Sequence, residues 1–166
     1  VSGASTLTQQ TAKNLFNRPD RSFRSKAEEA LNALRLEAHY SKEDILEFYA
    51  NQFHVTGNGR GIGIAARYYF DKEATDLTVL EAAFIAGMVK GPALYDPFFG
   101  TSEVRRLRNT ERAKKRVQYV LGRMQEQGYV SNSEYEELLA TEIPFRRGTF
   151  RYGKSSIVDE VVERLD

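Results

Sequence analysis

Apolar residues recur every three or four positions along most of this chain, and the polar stretches between them are short. From Arg24 to Tyr40, the residues Ala27, Ala30, Leu31, Leu34 and Ala38 fall at helical spacing and predict one apolar stripe. Ser41 with Asp44 three residues on predicts a capping box, opening a helix that carries Ile45, Leu46, Phe48, Tyr49 and Phe53. Thr78 with Glu81 predicts a second box ahead of the run Val79 to Val89, and Gly91-Pro92 predicts its end, with the glycine as a C′ residue. Thr101 to Gln127 predicts a long amphipathic helix with Val104, Leu107, Val117, Val120, Leu121 and Met124 inward, closed by Gly128. Ser131 with Glu134 is a third box, and Ser156 to Leu165 reads as a short last helix. Only Phe145 to Tyr152 reads as extended. The expected fold class is mainly α.

One loop interrupts the helical pattern. Gly57 to Gly63 holds four glycines in seven residues, which suits a backbone that turns sharply or approaches another group closely. The spacing is neither that of a nucleotide-binding loop nor of a dinucleotide fingerprint, so a structural turn between two helices is expected.

A length of 166 residues fits one domain, and at this size no staple is needed to hold a core. The chain has no cysteine, which excludes disulfides and thiolate metal sites. The net charge of +1 predicts no global attraction to nucleic acid. No stretch reaches the roughly 18–20 apolar residues of a spanning helix, and no signal peptide opens the chain, so a membrane anchor is expected to lie outside it.

Three regions carry candidate chemistry. Ser5, Thr6, Thr8, Gln9, Gln10, Thr11, Lys13 and Asn14 make an unusually polar first helix. Ser5 or Thr6 could cap it, and its free amides beside Lys13 would attract an anion. Gln10, Lys13 and Asn14 share one face by spacing. In the next helix, Lys26 and Glu29 lie one turn apart, an arrangement of both anion sites and surface ion pairs. Glu28 is as good a carboxylate as Glu29 by composition, and periodicity does not choose between them. Between Arg105 and Arg116 lie seven cations in twelve residues, interrupted by Glu111 and preceded by Glu103. Such a helix suits nucleic acid or an anionic bilayer, with a solvated face as the default. His39 and His54 have no ligand-spaced neighbours, so no metal site is expected from side-chain spacing.

The order of these segments resembles a known family. Gly3 to Asn14, GASTLTQQTAKN, resembles the GGSTxTQQxxKN motif of glycosyltransferase family 51, the transglycosylase domains of class A penicillin-binding proteins and monofunctional transglycosylases. Lys26 to Glu37 resembles that family's RKxxExxxAxxLE motif, and Ser41 to Asn51 resembles SKxxILExYLN. Gly59 to Lys72 resembles the glycine-containing element ending near YFGK. Leu80 to Pro97 resembles the last motif, and the basic helix resembles RAxxRRxxVLxxM. Three positions depart: Ala4 stands for a second glycine, Ser25 for the usual arginine, and Asp71 for a common glycine. Arg24, one residue earlier, would point about 100° away from position 25 on an ideal helix.

The resemblance implies a lysozyme-like helical domain over residues 1–154, with 155–166 as an exit segment toward a linker and transpeptidase domain. It implies polymerisation of lipid II into glycan strands, by inverting transfer of a lipid-pyrophosphate-linked glycan to an acceptor 4-hydroxyl. Glu29 matches the family's second catalytic glutamate. Lys13 and Lys26 match its pyrophosphate contacts, and Ser5, Thr6, Gln10 and Asn14 match polar contacts to phosphate and sugar. The first catalytic glutamate belongs to an EDxxFxxHxG motif that this sequence does not contain, so the chain alone is expected to be inactive. No resident cofactor is implied beyond a divalent cation, Mg or Mn, assisting at the pyrophosphate. Implied partners are lipid II and the growing glycan, moenomycin-type inhibitors, the membrane surface and other cell-wall synthesis proteins, without nucleic acid. The implied location is the bacterial cell envelope, at the extracytoplasmic face of the cytoplasmic membrane. The competing reading is a non-catalytic helical scaffold or anionic-ligand-binding module.

Overall fold

The computed structural model describes residues 5–16, 22–89 and 91–149. Ala4 and the segment 155–166, with its expected last helix and exit role, lie outside the described residues. The described residues divide into two compact units, one within residues 5–53 and the other within residues 54–149. Helices dominate both, as the apolar periodicity predicts.

The first unit is built from α1 (Leu7–Leu15), α2 (Phe23–His39) and α3 (Lys42–Ala50). Thr6 caps α1, its hydroxyl accepting from the Gln9 amide while the Gln9 side chain accepts from the Thr6 amide. Ser41 and Asp44 form the predicted box on α3. The three helices share a core of Ala12, Leu15, Ala33, Leu36 and Ile45, with Phe16, Tyr40 and Phe48 packed on its edge. Tyr40 and Phe48 meet edge to face at 4.9 Å.

The inward face of α2 differs from the predicted one. Ser25, Glu29, Ala33 and Leu36 are buried, whereas Leu31 is 60% and Leu34 63% exposed. Both sets have helical period. The small residues win because they admit α1 closely, and because burying Glu29 beside Lys26 satisfies the carboxylate.

The second unit opens with a hairpin absent from the sequence reading: β1 (His54–Val55) pairs antiparallel with β2 (Gly59–Arg60). The glycine loop is therefore the turn of this ribbon, not a simple link between helices. Gly57, Gly59 and Gly61 all take positive φ there. Next come α4 (Ile62–Phe70), α5 (Val79–Met88), the short α6 (Pro92–Tyr95), α7 (Glu103–Glu126) and α8 (Asn132–Ala140). Capping boxes at Thr78 and Ser131 start α5 and α8 as predicted. Gly91 does not act as a left-handed C′ residue. Its φ of −175° is extended, and it caps the start of α6. Asp71 ends α4 in the left-handed region at φ 56°, which gives a physical reason for the common glycine there.

Helices α5 and α7 pack tightly at Gly87, where an added Cβ would lie 3.0 Å from the Arg116 side chain. On α7 the buried residues are Asn109, Ala113, Val117 and Leu121, so Val104 and Leu107 point outward against expectation. The predicted extended stretch forms no strand over 145–149, and 150–152 lie outside the described residues. Instead the amides of Arg146 and Gly148 donate to the carbonyls of Tyr69 and Tyr68, satisfying the open end of α4. Phe145 joins Tyr69, Phe70, Phe84 and Phe98 in an aromatic cluster.

Candidate active site

Helix α1 buries Thr8, Thr11, Ala12 and Leu15 against the other helices of its unit. That inward stripe leaves Gln10, Lys13 and Asn14 exposed on the opposite side, as their spacing predicts. Helix α2 starts at Ser22, whose hydroxyl accepts from the Ser25 amide at 3.1 Å. The first turns of α2 thus present Ser25, Lys26 and Glu29 toward α1.

Glu29 is the central group. Its side chain is 2% exposed and pairs with the Lys26 ammonium, which remains 42% exposed. The same ammonium donates to Ser5 Oγ at 3.0 Å. One cation therefore links the buried carboxylate of α2 to the residue preceding the α1 cap. Gln10 Nε2 donates to the Ser5 carbonyl at 3.4 Å and ties down the same corner. A shallow cleft beside this junction is lined by Ala12, Lys13, Phe16, Ser25, Glu28, Glu29 and Asn32. Lys13 and Glu29 therefore border one open space, with Lys26 bonded to the carboxylate.

The structure separates the candidates that composition left equal. Glu28 is half exposed and pairs with Arg24 at 3.1 Å, while Glu29 is buried. Arg24 is 89% exposed in its side chain and is engaged by Glu28. Ser25 lies in the cleft wall. Thr6 spends its hydroxyl on the helix cap. Asn14 is exposed and is not among the residues lining the cleft. Asn32, one turn beyond Glu29, lines the cleft and was not singled out in the sequence. Its spacing from Glu29 is the signal that could have found it.

A carboxylate held by an ammonium, with a second lysine bordering the same cleft, can hold an anion. The cations meet an incoming negative charge, and the carboxylate fixes the geometry of one of them. Among the described residues no group of three or more His, Cys, Asp or Glu side chains is placed to hold a metal ion. The two cleft carboxylates are engaged by Lys26 and Arg24, so these residues offer no cage for a divalent cation.

Three kinds of similarity place the chain's family and fold. The family model described as Transglycosylase matches residues 1–125. Penicillin-binding protein 1A of Neisseria flavescens is 41% identical over 146 residues, covering 88% of this chain and 17% of that protein. Penicillin-binding protein 1F of Bacillus subtilis is 41% identical over 134 residues, covering 81% of this chain and 18% of that protein. The crystal structure of penicillin-binding protein 1A from Haemophilus influenzae superposes with a TM-score of 0.55 at 27% identity, over 93% of this chain and 19% of that one. The chain thus spans less than a fifth of the length of these relatives, and its helical architecture is the lysozyme-like one that the sequence motifs imply.

Proposed function

This chain belongs to the transglycosylase family, and on that premise we propose that it serves peptidoglycan glycosyl transfer, polymerising lipid II into glycan strands. The observation that carries this reading is the junction of Glu29, Lys26 and Ser5 beside the cleft that Lys13 borders. A lipid-linked sugar leaves its diphosphate behind when the acceptor 4-hydroxyl attacks with inversion. Negative charge then grows on the bridging oxygen. Two ammonium groups, one of them fixed in place by Glu29 and Ser5, stabilise that charge more than unoriented water does. Glu29 holds Lys26 in place for this step, and Ser5 gives the ammonium a second fixed contact. Gln10, Thr6 and Asn14 do not line this cleft and keep only the role that the family resemblance implies, as polar contacts to phosphate and sugar outside its wall. With its carboxylate already engaged by Lys26, Glu29 acts here as a positioning group, and proton removal from the acceptor falls to another base. Growing glycan and moenomycin-type phosphoglycolipids fit the same anion-holding cleft. The membrane surface and other cell-wall synthesis proteins are the partners this role calls for. The matching site is the cell envelope, at the extracytoplasmic face of the cytoplasmic membrane.

Glu29→Gln tests the proposal in the full-length protein. Lipid II polymerisation is expected to fall about 100-fold or more, because the ammonium loses its fixed position while the amide keeps the packing. Lys13→Ala is expected to weaken binding of a moenomycin-type inhibitor in the same protein. Wild-type turnover by a folded Glu29→Gln protein removes this residue from the mechanism.

A further inference from the structure

We propose that the outward face of α7, together with the lip formed by α6, is a contact surface for an anionic lipid bilayer. The inward stripe of α7 runs through Asn109, Ala113, Val117 and Leu121. The opposite stripe is Val104, Arg108, Arg112, Lys115 and Tyr119, at spacings of four, four, three and four. Val104 is 67% and Tyr119 58% exposed, and beside them Leu107 is 59% exposed.

The cations of this helix fall into two groups. Arg116 donates to the Gly87 carbonyl at 3.0 Å, Arg106 donates to the Gly100 carbonyl at 3.2 Å, and Lys114 pairs with Glu111 at 3.2 Å. Arg105 sits over the Phe99 ring at 4.9 Å. Those four are engaged within the unit. Arg108, Arg112 and Lys115 make no ion pair or hydrogen bond among the described residues, and all three project outward. From Glu103 to Arg116 the chain carries seven cations and two carboxylates, while its net charge is only +1, so the remainder is net acidic. Such a distribution turns this helix toward a negative surface.

Apolar groups share the same face. A groove where α6 meets the first turns of α7 is lined by Leu94 and Val104 together with Arg105, Arg108 and Arg112. Leu94 is 52% exposed. The groove is a fixed feature, because buried Asn109 donates to the carbonyls of Ala93, Asp96 and Phe99 and locks both walls. Cations at headgroup depth beside exposed Leu and Val reaching the acyl boundary suit a bilayer surface. A nucleic acid would use the cations but would leave those apolar side chains in water. The exposed tyrosine fits the same interface. This proposal does not depend on glycosyl transfer, and it assigns the membrane contact to residues outside the Glu29 cleft.

Co-sedimentation of the full chain with vesicles tests it. Binding is expected to vesicles of phosphatidylcholine with phosphatidylglycerol, and not to phosphatidylcholine alone, with loss at high salt. R108E/R112E/K115E is expected to lower that binding roughly tenfold or more, and the milder R108Q/R112Q severalfold. Leu94→Ser with Val104→Ser is expected to lower it about threefold at low salt. R35E/K42E/R60E, which shifts the net charge equally elsewhere, should leave most binding intact. Circular dichroism confirms folding of each variant. The proposal is overturned by equal binding to both vesicle types, or by a folded triple variant that binds like wild type. It is equally overturned by losses of the same size in the control, or by displacement from vesicles by duplex DNA or free glycerol phosphate.

Discussion

Each unit buries a glutamate against a partly exposed lysine, and the two differ in what else the pair holds. In residues 54–149, Glu81, Asp96 and Asn109 are buried, and each binds backbone ends. Glu81 accepts from the Lys72 ammonium at 2.8 and 3.0 Å and from the Thr78 amide at 2.8 Å, Asp96 accepts from the Phe98 amide at 2.8 Å, and Asn109 donates to three carbonyls. Around them stand fully buried Tyr69, Phe84, Met88 and Leu121. In the first unit Glu29 is buried against Lys26, which is 42% exposed much as Lys72 is 37%, but the Lys26 ammonium reaches on to Ser5 beside a cleft. Beside its buried Leu15, Leu36 and Ile45, this unit leaves Leu31, Leu34 and Phe23 outside, Phe23 at 97% exposure. Buried polarity that ties backbone stabilises a fold. Buried polarity that holds a charge at the edge of a cleft prepares a site.

This difference sets the sizes of mutational effects. Phe84→Ala is expected to cost about 3–5 kcal/mol, because the ring touches Tyr69, Phe70 and Phe145 at a position with no solvent to fill the void. Urea denaturation checks this, and a loss below about 1 kcal/mol would show that the aromatic cluster does not hold the second unit together. Lys26→Met is expected to cost less, about 1–2 kcal/mol. The Glu29 carboxylate loses its ammonium, but the exposed side of the cleft lets water enter. Its effect on lipid II turnover should nevertheless match that of Glu29→Gln. A stability loss as large as that of Phe84→Ala, with turnover kept, would make the pair a fold element like those of the second unit.

What the sequence disclosed follows the range of the forces involved. The boxes at Ser41, Thr78 and Ser131 are local, spanning three residues, and all three form. The polar face of α1 was equally legible, since Gln10, Lys13 and Asn14 needed only helical spacing. The inward face of α2 was not. Two stripes compete there, and the choice depends on α1, which no local pattern encodes. The same holds for Glu28 against Glu29, where a rotation of about 100° decides burial. The hairpin was missed because strands of two residues show no alternation. Val104 and Leu107 were read inward because an apolar residue in an amphipathic helix is assumed to find a partner, and here the buried stripe passes through Asn109 instead. Nothing in the Tyr-Asp-Pro context of Asp96 announces a buried carboxylate.

Asp96 gives the smallest expected effect and the most specific one. One oxygen accepts the Phe98 amide, while the other lies near the Tyr69 and Thr56 hydroxyls without closing a hydrogen bond of ordinary geometry. Burial pushes its carboxyl above the usual range, outweighing the lowering by the Phe98 amide and the two hydroxyls. The folded protein therefore holds this proton more tightly than the unfolded chain does. Its contribution is full below the ordinary value of 3.8 and is lost as pH rises through the higher folded value. Glu81 has the opposite sign. Burial would raise it, but the Lys72 ammonium and the Thr78 amide and hydroxyl hold it below its ordinary value of 4.5. Its contribution is present above that value and lost as pH falls through the folded one. Asp96→Asn keeps the acceptor for Phe98 and removes the charge. It is expected to raise stability at neutral pH by about 1 kcal/mol and to leave stability below pH about 4 nearly unchanged. Urea midpoints measured across that range check it. A variant less stable than wild type at neutral pH would mean that the ionised carboxylate is needed, and that the second unit keeps a second charge in its interior in addition to that of Glu81.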